Sequence, residues 1–231
     1  MLLAIDTAAR IASIALYHPE GVVAETAWRS RENHTVELMA QIVHLLDLGR
    51  VTKKDLRAIG VALGPGSFTG LRVGMSVAKG LAYALKIPIL GVPTLDAIAL
   101  PHAWNTVPIW AILAAGRGRF SVARYAAEAG CVQRTGDYAL VNAESLVALV
   151  AREMNDASAR ALFCGDVDAI LTQHLHQQFG ARAIIPSMAF NVRRAAYLAE
   201  LAWARWQRGE ADDATTLAPM YLPHESVEGV R

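Results

Sequence analysis

The stretch Gly64-Pro65-Gly66-Ser67-Phe68-Thr69-Gly70-Leu71-Arg72-Val73-Gly74 decides how this chain is read. It follows an apolar run at 58–63, expected to be a buried strand, and leads into 71–85, expected to be a helix. Four of its first seven residues are Gly or Pro. A strand entering a Gly-rich turn at a helix start offers free N–H groups and the positive end of the helix dipole to an anion. The same features suit a tight turn at a crowded packing site. The loop lacks the Gly-Lys-Ser/Thr ending of a Walker loop, and Gly64, Gly66 and Gly70 only approach G-x-G-x-x-G. The anion-binding candidates are Gly64, Gly66, Ser67, Thr69 and Arg72, with Asp6 and Thr7 at the end of the first strand.

Working outward, the chain has 231 residues, enough for one large domain or two small ones. It is 54% hydrophobic and 19% charged, which allows a sizeable core and argues against disorder. The net charge of +1 excludes a whole-chain field that would drive binding to nucleic acid or membrane. Met1-Leu2-Leu3-Ala4-Ile5-Asp6 has no basic region and meets a carboxylate at once, so no signal peptide is expected. No apolar run reaches the roughly 20 residues that cross a bilayer. Cys131 and Cys164 lack CxxC spacing and are expected to be reduced, buried thiols in a cytosolic protein.

In chain order, strands are expected at 2–6, 11–17 and 22–29, joined by short connections into a meander. Asn33 or Thr35 can cap a helix whose apolar stripe is Val36, Met39, Ile42, Val43 and Leu46. Leu38 and Leu45 fall off that stripe. Gly70, Gly74, Ala78 and Ala82 recur every four residues along the loop helix, so one face carries almost no side chain. Such a face lets another backbone approach closely: the protein's own sheet, its own first helix, or another subunit. After a strand at 87–92 and a short helix, a boundary falls at 102–106. The second half repeats strands and helices, capped at Asn142 and Asp166, and ends in a long helix at 189–208 and an extended 217–222. Two α/β lobes are therefore expected at 1–104 and 105–231, the last segment returning to the first lobe. Their shared order suggests the duplicated, ribonuclease-H-like fold of actin, hexokinase and Hsp70. There nucleotide lies between the halves and the first strand's Asp serves the metal-phosphate end.

The chemistry for such a site is incomplete. The second half's counterpart, Leu113-Ala114-Ala115-Gly116, carries no carboxylate to complement Asp6. His34 lacks a second His four residues on, where Leu38 stands, so no metal site is expected. Ser67 does not sit in a Gly-x-Ser-x-Gly elbow.

The eleven-residue loop resembles the signature of the TsaB (YeaZ) family. The resemblance extends to Leu3-Ala4-Ile5-Asp6-Thr7-Ala8, Asn33-His34-Thr35, Gly91-Val92-Pro93-Thr94-Leu95 and Pro219-Met220-Tyr221-Leu222, and so spans the chain. It implies a non-catalytic subunit in bacterial synthesis of threonylcarbamoyladenosine on tRNA. Its partner would be TsaD, a paralogue of the same fold that transfers the threonylcarbamoyl group. The ATPase TsaE would complete the assembly, and tRNA would be met only through the complex. A homodimer in isolation, a cytoplasmic location and no cofactor of its own are also implied, with a nucleotide at the TsaD junction left open. The interface expected for TsaD, or a second copy, comprises His34, Leu38, Leu45, Gly70, Gly74, Ala78 and Ala82. The missing second His agrees with a paralogue that has lost TsaD's metal site. The hairpin Ala114-Ala115-Gly116-Arg117-Gly118-Arg119-Phe120-Ser121 departs from the Asp-Ala-Arg-x-x-Glu-Val-Tyr frequent in the family, which leaves its contacts open. The competing expectations are an ATP-dependent phosphotransferase or ATPase using Asp6 and the 64–74 loop, and a metallopeptidase.

Overall fold

The computed structural model describes residues 1–30, 34–154, 156 and 158–222, and within these not the side chains of 34–36. The chain forms two compact units, one of Met1–Ala97 with Arg193–Met220 and one containing Ile98–Val192.

In the first unit, β1 (Leu2–Asp6), β2 (Ile11–His18) and β3 (Gly21–Arg29) form the expected meander, followed by α1 (His34–Leu48). A 3-10 turn at Lys53–Asp55, with Thr52 and Asp55 closing a capping box, leads to β4 (Ala58–Gly64) and α2 (Phe68–Leu85). Then come β5 (Ile89–Pro93) and α3 (Thr94–Ala99), the last two residues of which belong to the second unit. The sheet order is β3-β2-β1-β4-β5, with β1, β4 and β5 parallel and the meander antiparallel. Strand alternation sorts β1 to two faces. Leu3 and Ile5 join the core with Leu38, Ile42 and Leu45 of α1 and Met75, Ala78 and Ala82 of α2. Leu2 and Ala4 face the other way, towards Ala195, Leu198, Ala199 and Ala202 of the returning helix described below.

The second unit repeats the plan: β6 (Ile109–Gly116), β7 (Arg119–Glu128), β8 (Cys131–Arg134), β9 (Ala139–Asn142), α4 (Ala143–Glu153), β10 (Ala161–Gly165), α5 (Ala169–Phe179) and β11 (Ala183–Ile184). Its sheet runs β11-β10-β6-β7-β8, with β9 also on β7. Asn142 caps α4, its side chain accepting from Ser145 N–H. The cap of α5 is Asp168, not Asp166: Asp168 Oδ1 accepts from Leu171 N–H at 2.7 Å, while Asp166 accepts from Ala114 N–H at 3.0 Å.

The helix expected at 189–208 is shorter. Met188–Asn191 is a 3-10 turn, Arg194 is extended, and α6 (Ala195–Gln207) begins only after it. Asn191 explains the break: its Oδ1 accepts from Gly165 N–H at 3.0 Å and its Nδ2 donates to Pro186 O. The cap expected at Asn33 or Thr35 lies outside the described side chains. Cys131 is exposed rather than buried. Cys164 is buried, and burial pushes its thiol well above the usual range, which keeps it inert. No helix among the described residues is long and apolar enough to cross a membrane.

Candidate functional site

Asp6 closes β1 with its side chain on the α6 face, buried. Its Oδ1 accepts from Ala8 N–H at 3.0 Å, and its Oδ2 accepts from Arg193 Nη2 in a buried ion pair. Both oxygens therefore hold donors of the chain itself. Ser13 lies opposite Asp6 in the antiparallel register. Its hydroxyl, and Arg193 Nε and Nη1, have no hydrogen-bond partner among the described residues. Arg193 lies 187 residues from Asp6, and no spacing rule in the sequence points to it. Thr7 turns to the opposite face, where its Oγ1 donates to Gly70 O at 2.7 Å.

The loop glycines answer to packing. Gly64 has φ 112°, and a Cβ there would stand 2.5 Å from Met220 O. A Cβ on Gly66 would meet Ala8 O at 2.5 Å. On Gly70 it would overlap Thr7 O, and on Gly74 Thr7 Oγ1. Ser67 caps α2: its Oγ accepts from Gly70 N–H at 3.2 Å, while its own N–H donates to Ala8 O at 2.7 Å. Gly70 N–H and Ser67 N–H are thus taken within the chain. Thr69 and Arg72 are exposed, and the Arg72 guanidinium stacks 3.8 Å from the centre of the Phe68 ring.

Of the expected interface, the structure places Leu38, Leu45, Gly70, Gly74, Ala78 and Ala82 inside the unit. Leu38 and Leu45 are 0% exposed, and the small-residue stripe of α2 is buried, with Gly70 and Gly74 against Thr7 at the end of β1. The bare face brings the helix onto its own sheet, so these six residues have no surface to offer another chain. The His34 side chain lies outside the description. Exposed instead are Met39, Val43 (63%) and Leu48 of α1, and Phe68 and Tyr83 (86%) of α2. Met39 and Val43 belong to the apolar stripe expected from periodicity, of which Ile42 is buried. An open groove of about 370 Å³ runs along α2, lined by Phe68, Thr69, Arg72, Val73, Ser76 and Val77. Exposed apolar side chains beside a groove are the usual mark of a docking surface. The signal for this face was in the sequence: α1 is apolar on two sides, one more than a single sheet can cover.

The hairpin between β6 and β7 ends in a tight turn with Gly116, Arg117 and Gly118 all at positive φ. Residues 114–118 are exposed, while Phe120 and Ser121 are buried. Among the described residues no group of three or more His, Cys, Asp or Glu could hold a metal ion.

The sequence profile of the family described as TsaD, tRNA N6-adenosine threonylcarbamoyltransferase, matches residues 3–226. The tRNA threonylcarbamoyladenosine biosynthesis protein TsaB of Bacillus subtilis is 30% identical over 96% of this chain and 93% of its own. The solved structure of YeaZ from Pseudomonas aeruginosa superposes with a TM-score of 0.77 at 26% identity, covering 96% of this chain and 99% of that one. A hexokinase from Thermus thermophilus shares the fold, with a TM-score of 0.50 at 10% identity over 90% of this chain and 99% of its own. The duplicated α/β architecture is therefore that of the actin and hexokinase class.

Proposed function

This chain belongs to the TsaB family of tRNA threonylcarbamoyladenosine biosynthesis proteins, and we propose that it serves there as a non-catalytic subunit that binds and activates TsaD. The observation that carries this reading is the set of exposed apolar side chains on α1 and α2, Met39, Val43, Phe68 and Tyr83, with Phe68 lining an open groove along α2. Scattered apolar residues on a surface are ordinary, but several on two neighbouring helices beside a groove favour a partner. Helix against helix is the packing such a face suits. TsaE joins the assembly, tRNA is met through it, and in isolation the same face pairs two copies of this chain. The location is the cytoplasm. The chain brings no cofactor of its own, and a nucleotide would sit at the TsaD junction.

The ATPase or phosphotransferase alternative asks Asp6 to serve a metal-bound phosphate. With Ala8 N–H on one oxygen and Arg193 on the other, its carboxylate has a structural occupation. Nothing in the loop favours that alternative either, since Gly64, Gly66 and Gly70 answer to close backbone approach and Gly74 to the Thr7 side chain.

The test is calorimetric titration of TsaD from the same organism into the full chain and into Val43→Glu and Phe68→Glu variants. Both positions are exposed, so the variants should keep the melting temperature of the parent. Loss of TsaD binding by at least about a hundredfold, roughly 2.7 kcal/mol, is expected of the pair combined. Binding at parental affinity would show that the face is not the docking surface.

A further inference from the structure

After α6 the chain turns back along its own sheet. At the start of this return, Arg205 holds three groups: its Nε donates to Glu210 Oε2 at 2.8 Å, Nη1 to Gly91 O at 2.6 Å, and Nη2 to Asp212 Oδ1 at 3.0 Å. Asp212 binds β5 from both ends. Its N–H donates to Ile89 O at 2.9 Å, and its Oδ2 accepts from Gly91 N–H at 2.6 Å. The Asp213 carboxylate then accepts from Thr215 N–H and hydroxyl, both at 2.7 Å, turning the chain, while Ala214 and Leu217 pack on the core under α1 and α2. At the far end Met220 N–H donates to Leu63 O at 2.7 Å, and Met220 O covers Gly64.

The loop after Gly64 is therefore held from two sides. Thr7 and Ala8 hold it through Gly70 and Ser67. Met220 holds it at Leu63 and Gly64. The loop runs directly into the first turn of α2, whose Phe68, Thr69 and Arg72 form one end of the groove. A loop anchored on one flank alone would sample more conformations. A docking face that is in its binding form only part of the time binds more weakly by that fraction.

We propose that residues 210–220 are a strap that positions the first turn of α2, so that Arg205 and Asp212 are positioning residues for partner docking although neither lines the groove. This rests on the reading that the outward face of α1 and α2 is the docking face. The strap itself is a property of the first unit alone, and it can be measured without any partner.

The experiment is amide hydrogen exchange on the full chain, comparing residues 64–72 with β1 and β2, in Arg205→Met, Asp212→Ala and Met220→Pro. Met220→Pro removes the N–H that reaches Leu63 directly. The other two changes act at a distance from the loop and guard against a local distortion at the proline. Exchange over 64–72 should rise by roughly tenfold or more while β1 and β2 keep their protection, and TsaD affinity should fall by a similar factor. Unchanged exchange in all three variants would overturn the strap. Faster exchange with unchanged TsaD affinity would overturn its role in docking. If the parental chain itself fails to bind TsaD, the docking reading falls and takes the docking half of this proposal with it, while exchange still decides the strap.

Discussion

Asp6 has the position a phosphate-handling carboxylate would have, but its surroundings give it other work. A buried ion pair is costly to break from one side, because the remaining charge is left without a counter-ion. Asp6→Asn and Arg193→Met should each lower the unfolding free energy by about 3 kcal/mol, and the double variant by clearly less than the sum. Urea unfolding of the four proteins forms the double-mutant cycle. If the two losses simply add, the pair does not act as a unit. His102 is a second buried ionisable group, with no partner for Nε2 among the described residues. Burial lowers its pKa below the ordinary 6.5, so the folded chain holds it neutral. The unfolded chain takes up a proton below about pH 6.5, so the contribution is complete above that pH and declines as pH falls towards the depressed folded value. Stability followed by urea unfolding between pH 7.5 and 5.5 should therefore drop on the acid side, and His102→Leu should flatten that slope. A slope that the substitution leaves unchanged would show that other groups set it.

At the scale of elements, α1 and α2 differ in how openly their sequences declare their roles. In α2 the glycines and alanines at four-residue spacing marked a face made for close approach, and the sheet is what approaches. A large side chain on that face should therefore unfold the unit instead of sparing the fold while blocking a partner. Ala78→Leu is expected to cost about 1–3 kcal/mol by overpacking, and Gly74→Val more, since its first carbon already overlaps Thr7 Oγ1. Thermal melts check this: a Gly74→Val protein with the parental melting temperature would contradict the packing described. In α1, Leu38, Ile42 and Leu45 are three and four residues apart and form the core face, while Met39 and Val43 form a second apolar face in solvent. The stripe expected from periodicity mixes the two faces, joining buried Ile42 to exposed Met39 and Val43 and leaving out Leu38 and Leu45. Which face is buried depends on where β2 and the other strands lie.

For the whole molecule, the decisive fact is that the first unit is discontinuous in sequence. Leu2, Ala4, Ala15, Ala58, Ala62 and Leu90 are covered by α6, which arrives about a hundred residues after β5. A fragment ending at residue 104 would leave that face of the sheet in water. Such a fragment should aggregate or lack cooperative unfolding, and joining residues 193–222 to it through a flexible linker should restore a cooperative melt. A soluble, cooperatively folding 1–104 fragment would show that α6 is dispensable to the unit.

The sequence by itself determined the local features. The strand–loop–helix around Gly64, the cap at Asn142, the β-meanders and the resemblance to one family were all legible there. These depend on φ/ψ preferences, side-chain alternation and hydrogen bonds that reach only a few residues along the chain. Tertiary structure decided the rest: which apolar face of α1 is buried, which surface the bare stripe of α2 meets, that Arg193 neutralises Asp6, and that the tail returns to Gly64. Each of these is a contact between segments far apart in sequence, where the identity of one partner says little about the other. Only the assembled sheet, with its two faces and the helices laid on them, determines which groups are near enough to bond and which remain in solvent.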